Sequence, residues 1–178
     1  MMRAVVVGTS GSGKSTFADE FASRTKAPHV ELDALHWRDG WQEAPDEEFL
    51  DRVRQAVAQD RWIIDGNYTS VGAQDLILPR AELVVWLDMP RLLTWWRVAK
   101  RSAEHAWTKK TLWATNNTES LRRSFLSTDS VILWSIRTHG RNRRKYAEVF
   151  LEPSWEGQRM VRIRNEHERQ VLLAEFPG

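Results

Sequence analysis

Apolar residues fall in five short runs set between longer stretches of amphipathic, helix-like spacing. The runs at 3 to 7, 29 to 32, 61 to 65, 82 to 87 and 159 to 163 are largely apolar, the pattern of strands covered on both faces. Helical spacing covers about 14 to 25, 46 to 59, 91 to 105, 129 to 148 and 166 to 175. Strand and helix alternate, which predicts an α/β fold with a parallel sheet and helices on both faces. The second helix is the best marked: Asp46 is the expected cap after Pro45, acids fill the first turn, and Phe49, Leu50, Val53, Ala56 and Val57 form the apolar side. Pro90 is expected at the first position of the third. Residues 106 to 128 break the pattern, with Trp107, Lys109, Lys110, Trp113, Asn116, Asn117, Arg122 and Arg123 among polar interruptions. That composition suits a mobile lid leaving the sheet, or an ordinary surface helix.

A chain of 178 residues is long enough for one domain with its own core, so a single domain over 1 to 178 is expected. No apolar run approaches the length that spans a bilayer, and Met1 leads directly into the first strand, so no membrane association and a cytoplasmic location are expected. The absence of cysteine excludes disulfides and a cysteine-held zinc, leaving Mg²⁺ brought with a nucleotide as the expected metal. Charge adds something the pattern does not. Residues 91 to 145 hold thirteen Lys and Arg against three acids, a net +10, while the remainder holds thirteen against twenty-one, a net −8. Signs so separated predict that the middle segment faces an anion, either small-molecule phosphates or a nucleic-acid backbone.

The sharpest chemical signal is Gly8-Thr9-Ser10-Gly11-Ser12-Gly13-Lys14-Ser15-Thr16, directly behind the run Ala4 to Val7 and ahead of an amphipathic helix bearing Phe17, Ala18, Phe21 and Ala22. It fits G-x-x-x-x-G-K-[ST]. In that pattern Gly8, Gly11 and Gly13, with Ser10 and Ser12 between, let backbone N–H groups turn inward around a polyphosphate, and Lys14 reaches its β and γ oxygens. The helix opening at Lys14 adds the positive end of its dipole. Ser15 is placed to offer a hydroxyl to Mg²⁺, and Thr16 to bond a phosphate nearer the sugar. A flexible Gly/Ser linker would lack the flanking strand and helix.

Three acids end strands. Asp65, in Trp62-Ile63-Ile64-Asp65-Gly66-Asn67-Tyr68, arrives at the carboxyl edge of the sheet, where ligands of parallel sheets bind, and is a candidate to hold Mg²⁺ or its waters. Asp88 has the same formal claim, but it precedes Pro90 and a helix, so capping explains it more simply. Neither acid is followed by a Glu or Gln of the kind that orients water for hydrolysis, which favours transfer to a bound acceptor. Asp33, in Val30-Glu31-Leu32-Asp33-Ala34-Leu35-His36-Trp37, is a candidate general base or acceptor-orienting group, with Trp37 and Trp41 as walls; it would equally serve as a turn cap. His36 is expected to be structural.

Arg97 and Arg101 lie four apart on one helix face, and Arg137, Arg141 and Arg144 share a face of the next helix. Guanidinium groups there are candidates to close over phosphates and neutralise charge in a transition state. Arg91, Arg143 and Lys145 are expected on a solvated helix face. Arg164, at the end of the last strand, is a candidate to border the nucleotide base.

With GTSGSGKST at 8 to 16, ELDALHW at 31 to 37, WIIDGNY at 62 to 68, PRAELVVWLDMPR at 79 to 91 and RVAKR at 97 to 101, the chain resembles the adenylate kinase-like group of small P-loop kinases over nearly its whole length. Within that group it is most similar to the branch labelled topology-modulation proteins. The resemblance implies a three-layer P-loop NTPase fold, a parallel sheet ordered 2-3-1-4-5, and a lid after strand 4. It also implies ATP as donor, an Asp65-Gly66 corner that helps hold Mg²⁺, and base and phosphate contacts from Arg97 and Arg101. Adenylate kinases continue the corner as Phe-Pro-Arg, the arginine gripping the acceptor phosphate; this chain continues as Asn67-Tyr68, leaving Arg80 or Arg38 as candidates for that task. The expected activity is an ATP- and Mg²⁺-dependent phosphotransferase acting on a small acceptor. The rival expectations are a nucleotide-regulated DNA-binding protein using residues 91 to 145, and a P-loop ATP-binding protein with weak hydrolysis.

Overall fold

The computed structural model describes residues 2–67, 71–108, 111–112, 117–118, 140–148, 150 and 157–177. In chain order these form β1 (Arg3–Gly8), α1 (Lys14–Thr25), β2 (His29–Glu31), the single helical turn α2 (Leu32–His36), α3 (Asp46–Val57), β3 (Trp62–Asp65), α4 (Ala73–Ile77), β4 (Leu83–Leu87), α5 (Arg91–Thr108), the helical residues 140–148 (α6), β5 (Arg159–Ile163) and α7 (Glu166–Ala174). The five strands form one parallel sheet in the order β2-β3-β1-β4-β5. The α/β class and the strand order both agree with expectation.

Alternation along the strands explains why both faces are covered. Val5 and Val7 of β1 join Ile64, Val84 and Trp86 under Phe49, Val53, Ile77 and Tyr146. Ala4 and Val6 point the other way, with Ile63, Val85, Leu87 and Ile163, under Phe17, Phe21, Leu172 and Leu173. Successive strand residues serve opposite cores, so a one-residue slip would exchange both sets.

Some boundaries move. Asp46 is the first helical residue of α3 and Pro45 takes the capping position with no side-chain bond, so the acid acts through the helix dipole. Pro90 stands just before α5, where its carbonyl accepts from Thr94 N–H at 3.0 Å. Strand 2 stops at Glu31 because the chain turns at once into α2. A two-residue antiparallel pair, Trp37–Arg38 with Gln42–Glu43, follows it, too short to show in periodicity. Within the expected lid, α5 runs on to Thr108 and Thr111–Leu112 pairs with Asn117–Thr118. The rest of residues 106 to 128, and Arg137, lie outside the described residues.

Candidate phosphate and metal site

Every strand of a parallel sheet delivers its last residue to the same edge, and this chain places its polar side chains there. Glu31 pairs in register with Asp65, Val6 with Asp65 on the other side, and Gly8 with Leu87. Thus the start of the phosphate loop, the Asp65 corner and the Asp88 corner lie side by side. Asp33 follows two residues past the end of β2, on α2 at this edge.

The loop between β1 and α1 is held by contacts the sequence does not announce. Gly11 has φ +78°, and a Cβ there would lie 2.2 Å from the Thr94 carbonyl oxygen on α5. Only glycine lets the loop seat so closely on that helix. Gly13 caps α1 at φ +89°. The side-chain amide of Asn67 takes both backbone groups of Gly8: Oδ1 accepts from Gly8 N–H at 3.2 Å, and Nδ2 donates to Gly8 O at 2.5 Å. Tyr146 of α6 in turn donates its hydroxyl to Asn67 Oδ1 at 2.7 Å. The Tyr146 phenol is buried, which pushes its pKa up and keeps it a donor. Asn67 stands where the resemblance leads one to expect the Phe-Pro-Arg continuation. Its signal in the sequence is its place after the Asp65-Gly66 corner; its partners lie 59 and 79 residues away.

Lys14, Ser15 and Thr16 line a cavity of about 240 Å³ together with Gly11, Gly13, Arg97 and Arg101. Among the described residues, none lining it is acidic. Arg97 Nη1 donates to the Ser12 carbonyl at 3.3 Å, fastening α5 to the loop. The two arginines singled out by their spacing are therefore gathered with the lysine, although 83 and 87 residues separate them from it.

Ser15 Oγ donates to Asp65 Oδ2 at 2.6 Å, and Asp65 is 2% exposed. The other carboxylate oxygen faces His29 Nε2 at 3.2 Å, and His29 Nδ1 meets Asp19 Oδ1 at 2.6 Å. Burial by itself would raise the Asp65 pKa. The His29 hydrogen bond, the Lys14 charge and the Ser15 hydroxyl outweigh burial and hold it below the ordinary carboxyl value. For His29 burial works downward, and bonding and charge from Asp65 and Asp19 carry its pKa above 6.5. His29 begins β2 and gave no sequence signal as a site residue.

Asp88 is not a helix cap. Its carboxylate pairs with Arg143 Nε at 2.8 Å and with Arg162 Nη2 at 2.5 Å and Nε at 3.1 Å. Two guanidiniums occupy it, whereas Asp65 faces the loop hydroxyl. Arg143 is half exposed, as expected of a solvated face, and from there its guanidinium also reaches this buried acid. Arg164 is exposed and does not line the loop cavity; its backbone N–H donates to Glu168 Oε2 at 2.7 Å, beside the N-cap of α7, where Asn165 Oδ1 accepts from Glu168 N–H at 2.9 Å. His36 is buried, edge-on to Phe49 and Trp37, in keeping with a structural part. Trp37 and Trp41 pack edge to face at 5.6 Å. Of the candidate replacements for the acceptor arginine, Arg38 is ion-paired with Glu48, and Arg80 is exposed beside β4.

No family model matches the chain, and no curated protein matches its sequence. Among solved structures it is similar to a sugar kinase from Janibacter sp. in its unliganded form, at 19% identity and TM-score 0.52 over 98% of this chain and 92% of that one. It is similar also to a gluconokinase from Sinorhizobium meliloti, at 17% identity and TM-score 0.53 over 99% and 93%. A third, an uncharacterized protein from Eubacterium ventriosum, shares 12% identity with TM-score 0.53 over 99% and 98%. At such identities the likeness is one of fold: along almost its whole length the chain shares with these proteins an α/β fold built on a five-stranded parallel sheet.

Proposed function

We propose that this protein is an ATP- and Mg²⁺-dependent phosphotransferase acting on a small acceptor. The observation that carries the reading is the single cavity in which Lys14, Arg97 and Arg101 meet the loop glycines, bordered by the Ser15 to Asp65 hydrogen bond. Three cations and a helix N-terminus suit a polyphosphate. A hydroxyl and a carboxylate are hard oxygen donors and fit Mg²⁺, so Ser15 and Asp65 are the residues that would hold it. When bound, the ion neutralises phosphate charge.

The chain's own groups then divide the work. Lys14 and the amides of Ser10, Gly11 and Gly13 hold the donor phosphates, with Thr16 nearer the sugar; the N–H groups of Gly8 and Ser12, expected to join them, are taken by Asn67 Oδ1 and the Thr9 carbonyl and serve to shape the loop. Arg97 and Arg101 stabilise charge on the moving phosphoryl group. Asp33 would accept the proton from the acceptor hydroxyl as its oxygen bonds to phosphorus and the bond to ADP breaks. The kinases named among the fold neighbours support a sugar, sugar-acid or similar hydroxyl compound as acceptor; the motif resemblance to the adenylate kinase-like group supports phosphoryl transfer without naming an acceptor.

The test is a screen of nucleosides, nucleotides, sugars and sugar acids for acceptor-dependent ADP release. We expect release with one class that disappears in Lys14→Ala. Release independent of every acceptor would instead favour the weakly hydrolysing alternative. The DNA-binding alternative predicts salt-sensitive, ATP-responsive binding to duplex DNA. Arg91, Arg97, Arg101, Arg143 and Arg144 line cavities, which favours small anions over a duplex backbone.

A further inference from the structure

A second basic cavity lies apart from the phosphate loop. It has a volume of about 460 Å³ and is lined by Arg91, Arg143, Arg144 and Arg162 with Trp86. No residue is shared with the loop cavity. Arg91 opens α5, and Arg97 lies six residues further along the same helix, a rise of about 9 Å.

Among the described residues, Asp88 is the one acid paired with any of these four arginines. It neutralises one charge of four and fixes the planes of two guanidiniums. Arg162 is held a second way, its guanidinium stacked 4.4 Å from the centre of the Trp86 ring. Gly140 of α6 lies against Arg91: a Cβ there would stand 3.3 Å from Arg91 Nη2, so the missing side chain lets helix and guanidinium approach. Like charges gathered this closely repel, and an arriving anion relieves that repulsion while finding donors already oriented. Four guanidiniums less the Asp88 carboxylate leave a net charge of +3, which matches a dianion better than a single carboxylate, and their fork geometry suits phosphate oxygens.

We propose that this cavity, walled by Arg91, Arg143, Arg144 and Arg162 over Asp88 and Trp86, binds the phosphate group of a small phosphorylated molecule, separately from the phosphate loop. A volume of this size holds a metabolite and not merely an ion. The site stands independently of the phosphotransfer reading, since it needs neither Lys14 nor Asp65.

The test uses the full chain carrying Lys14→Ala, which removes the loop's own claim on phosphate. Inorganic phosphate and acetate are titrated calorimetrically, then again after adding Arg144→Gln or Arg91→Gln, neither of which is paired with Asp88. We expect phosphate to bind Lys14→Ala, to bind more tightly than acetate, and to weaken about tenfold with either arginine variant at unchanged melting temperature. If Arg144→Gln lowers the melting temperature, Arg91→Gln decides the matter. Loss of phosphate binding with Lys14→Ala alone, equal binding of acetate, or binding indifferent to both arginine variants would each overturn the site. Displacement of phosphate by duplex DNA would transfer the cavity to a nucleic-acid partner and overturn the small-molecule assignment.

Discussion

Asn67 holds both backbone groups of Gly8, accepting from its N–H at 3.2 Å and donating to its carbonyl at 2.5 Å, so one side chain anchors the phosphate loop to the neighbouring strand. The orientation matters, because an amide donates and accepts at once. Asn67→Ala is expected to destabilise the protein by about 1–3 kcal/mol in urea unfolding. Asn67→Asp should be worse, since a carboxylate would face the Gly8 carbonyl without a proton to offer. An Asp variant as stable as the parent would show that the amide is not the anchor.

Gly11 offers a steric test of how loop and helix fit. Gly11→Ala sets a Cβ 2.2 Å from Thr94 O at φ +78°, so α5 must move and carry Arg97 and Arg101 with it. We expect a loss of roughly 1–3 kcal/mol in stability together with weaker nucleotide binding. Unchanged nucleotide affinity would mean that the seating of α5 on the loop does not position those arginines.

The Ser15 to Asp65 bond predicts a metal-selective defect. Asp65→Asn should weaken ATP binding about 10–100-fold in the presence of Mg²⁺ and far less in chelator, as loss of a group that orients or holds the ion does. Equal losses with and without Mg²⁺ would point to a fold defect in place of a metal role.

His29 supplies a pH signature in protein free of nucleotide and Mg²⁺. Its pKa is raised on folding, so its contribution is complete below about 6.5 and is lost as pH rises through the higher folded value. Asp65 is shifted down, so its contribution is present above about 3.8 and is lost as pH falls through its lower folded value. The stability difference between the parent and His29→Gln is therefore expected to be greatest between about pH 4 and 6.5, at about 1–3 kcal/mol, and to shrink toward pH 9. A difference that grew with pH would contradict the assignment. Denaturant melts across that range measure it.

The parts of this molecule legible in its sequence are those with local causes. The strands could be read because Ala4, Val5, Val6 and Val7 must face two cores at once, and the phosphate loop because glycine spacing and a following lysine act within nine residues. Arg97 and Arg101 could be paired because helical spacing puts them on one face. What escaped depends on tertiary approach: Asn67 to Gly8 across 59 residues, His29 to Asp65 across 36, and Arg143 to Asp88 across 55. Arg143 shows the physical reason clearly. Its own neighbours mark it as the exposed residue it is, and only the tertiary approach of α6 to the residue just past β4 brings its guanidinium to a buried acid. The turn α2 and the pair beside Trp37 are simply shorter than the periods by which helices and strands are recognised.

On the proposed reading, ATP held in the cavity around Lys14 passes its γ-phosphoryl group to a small molecule. The most direct measurement follows γ-phosphate-labelled ATP incubated with Mg²⁺, the protein and a pool of small hydroxyl compounds. Label is expected to move onto a compound of that pool with the parent protein and to remain in ATP with Lys14→Ala. Label that stays in ATP with both proteins, or that appears solely as inorganic phosphate, would contradict the account.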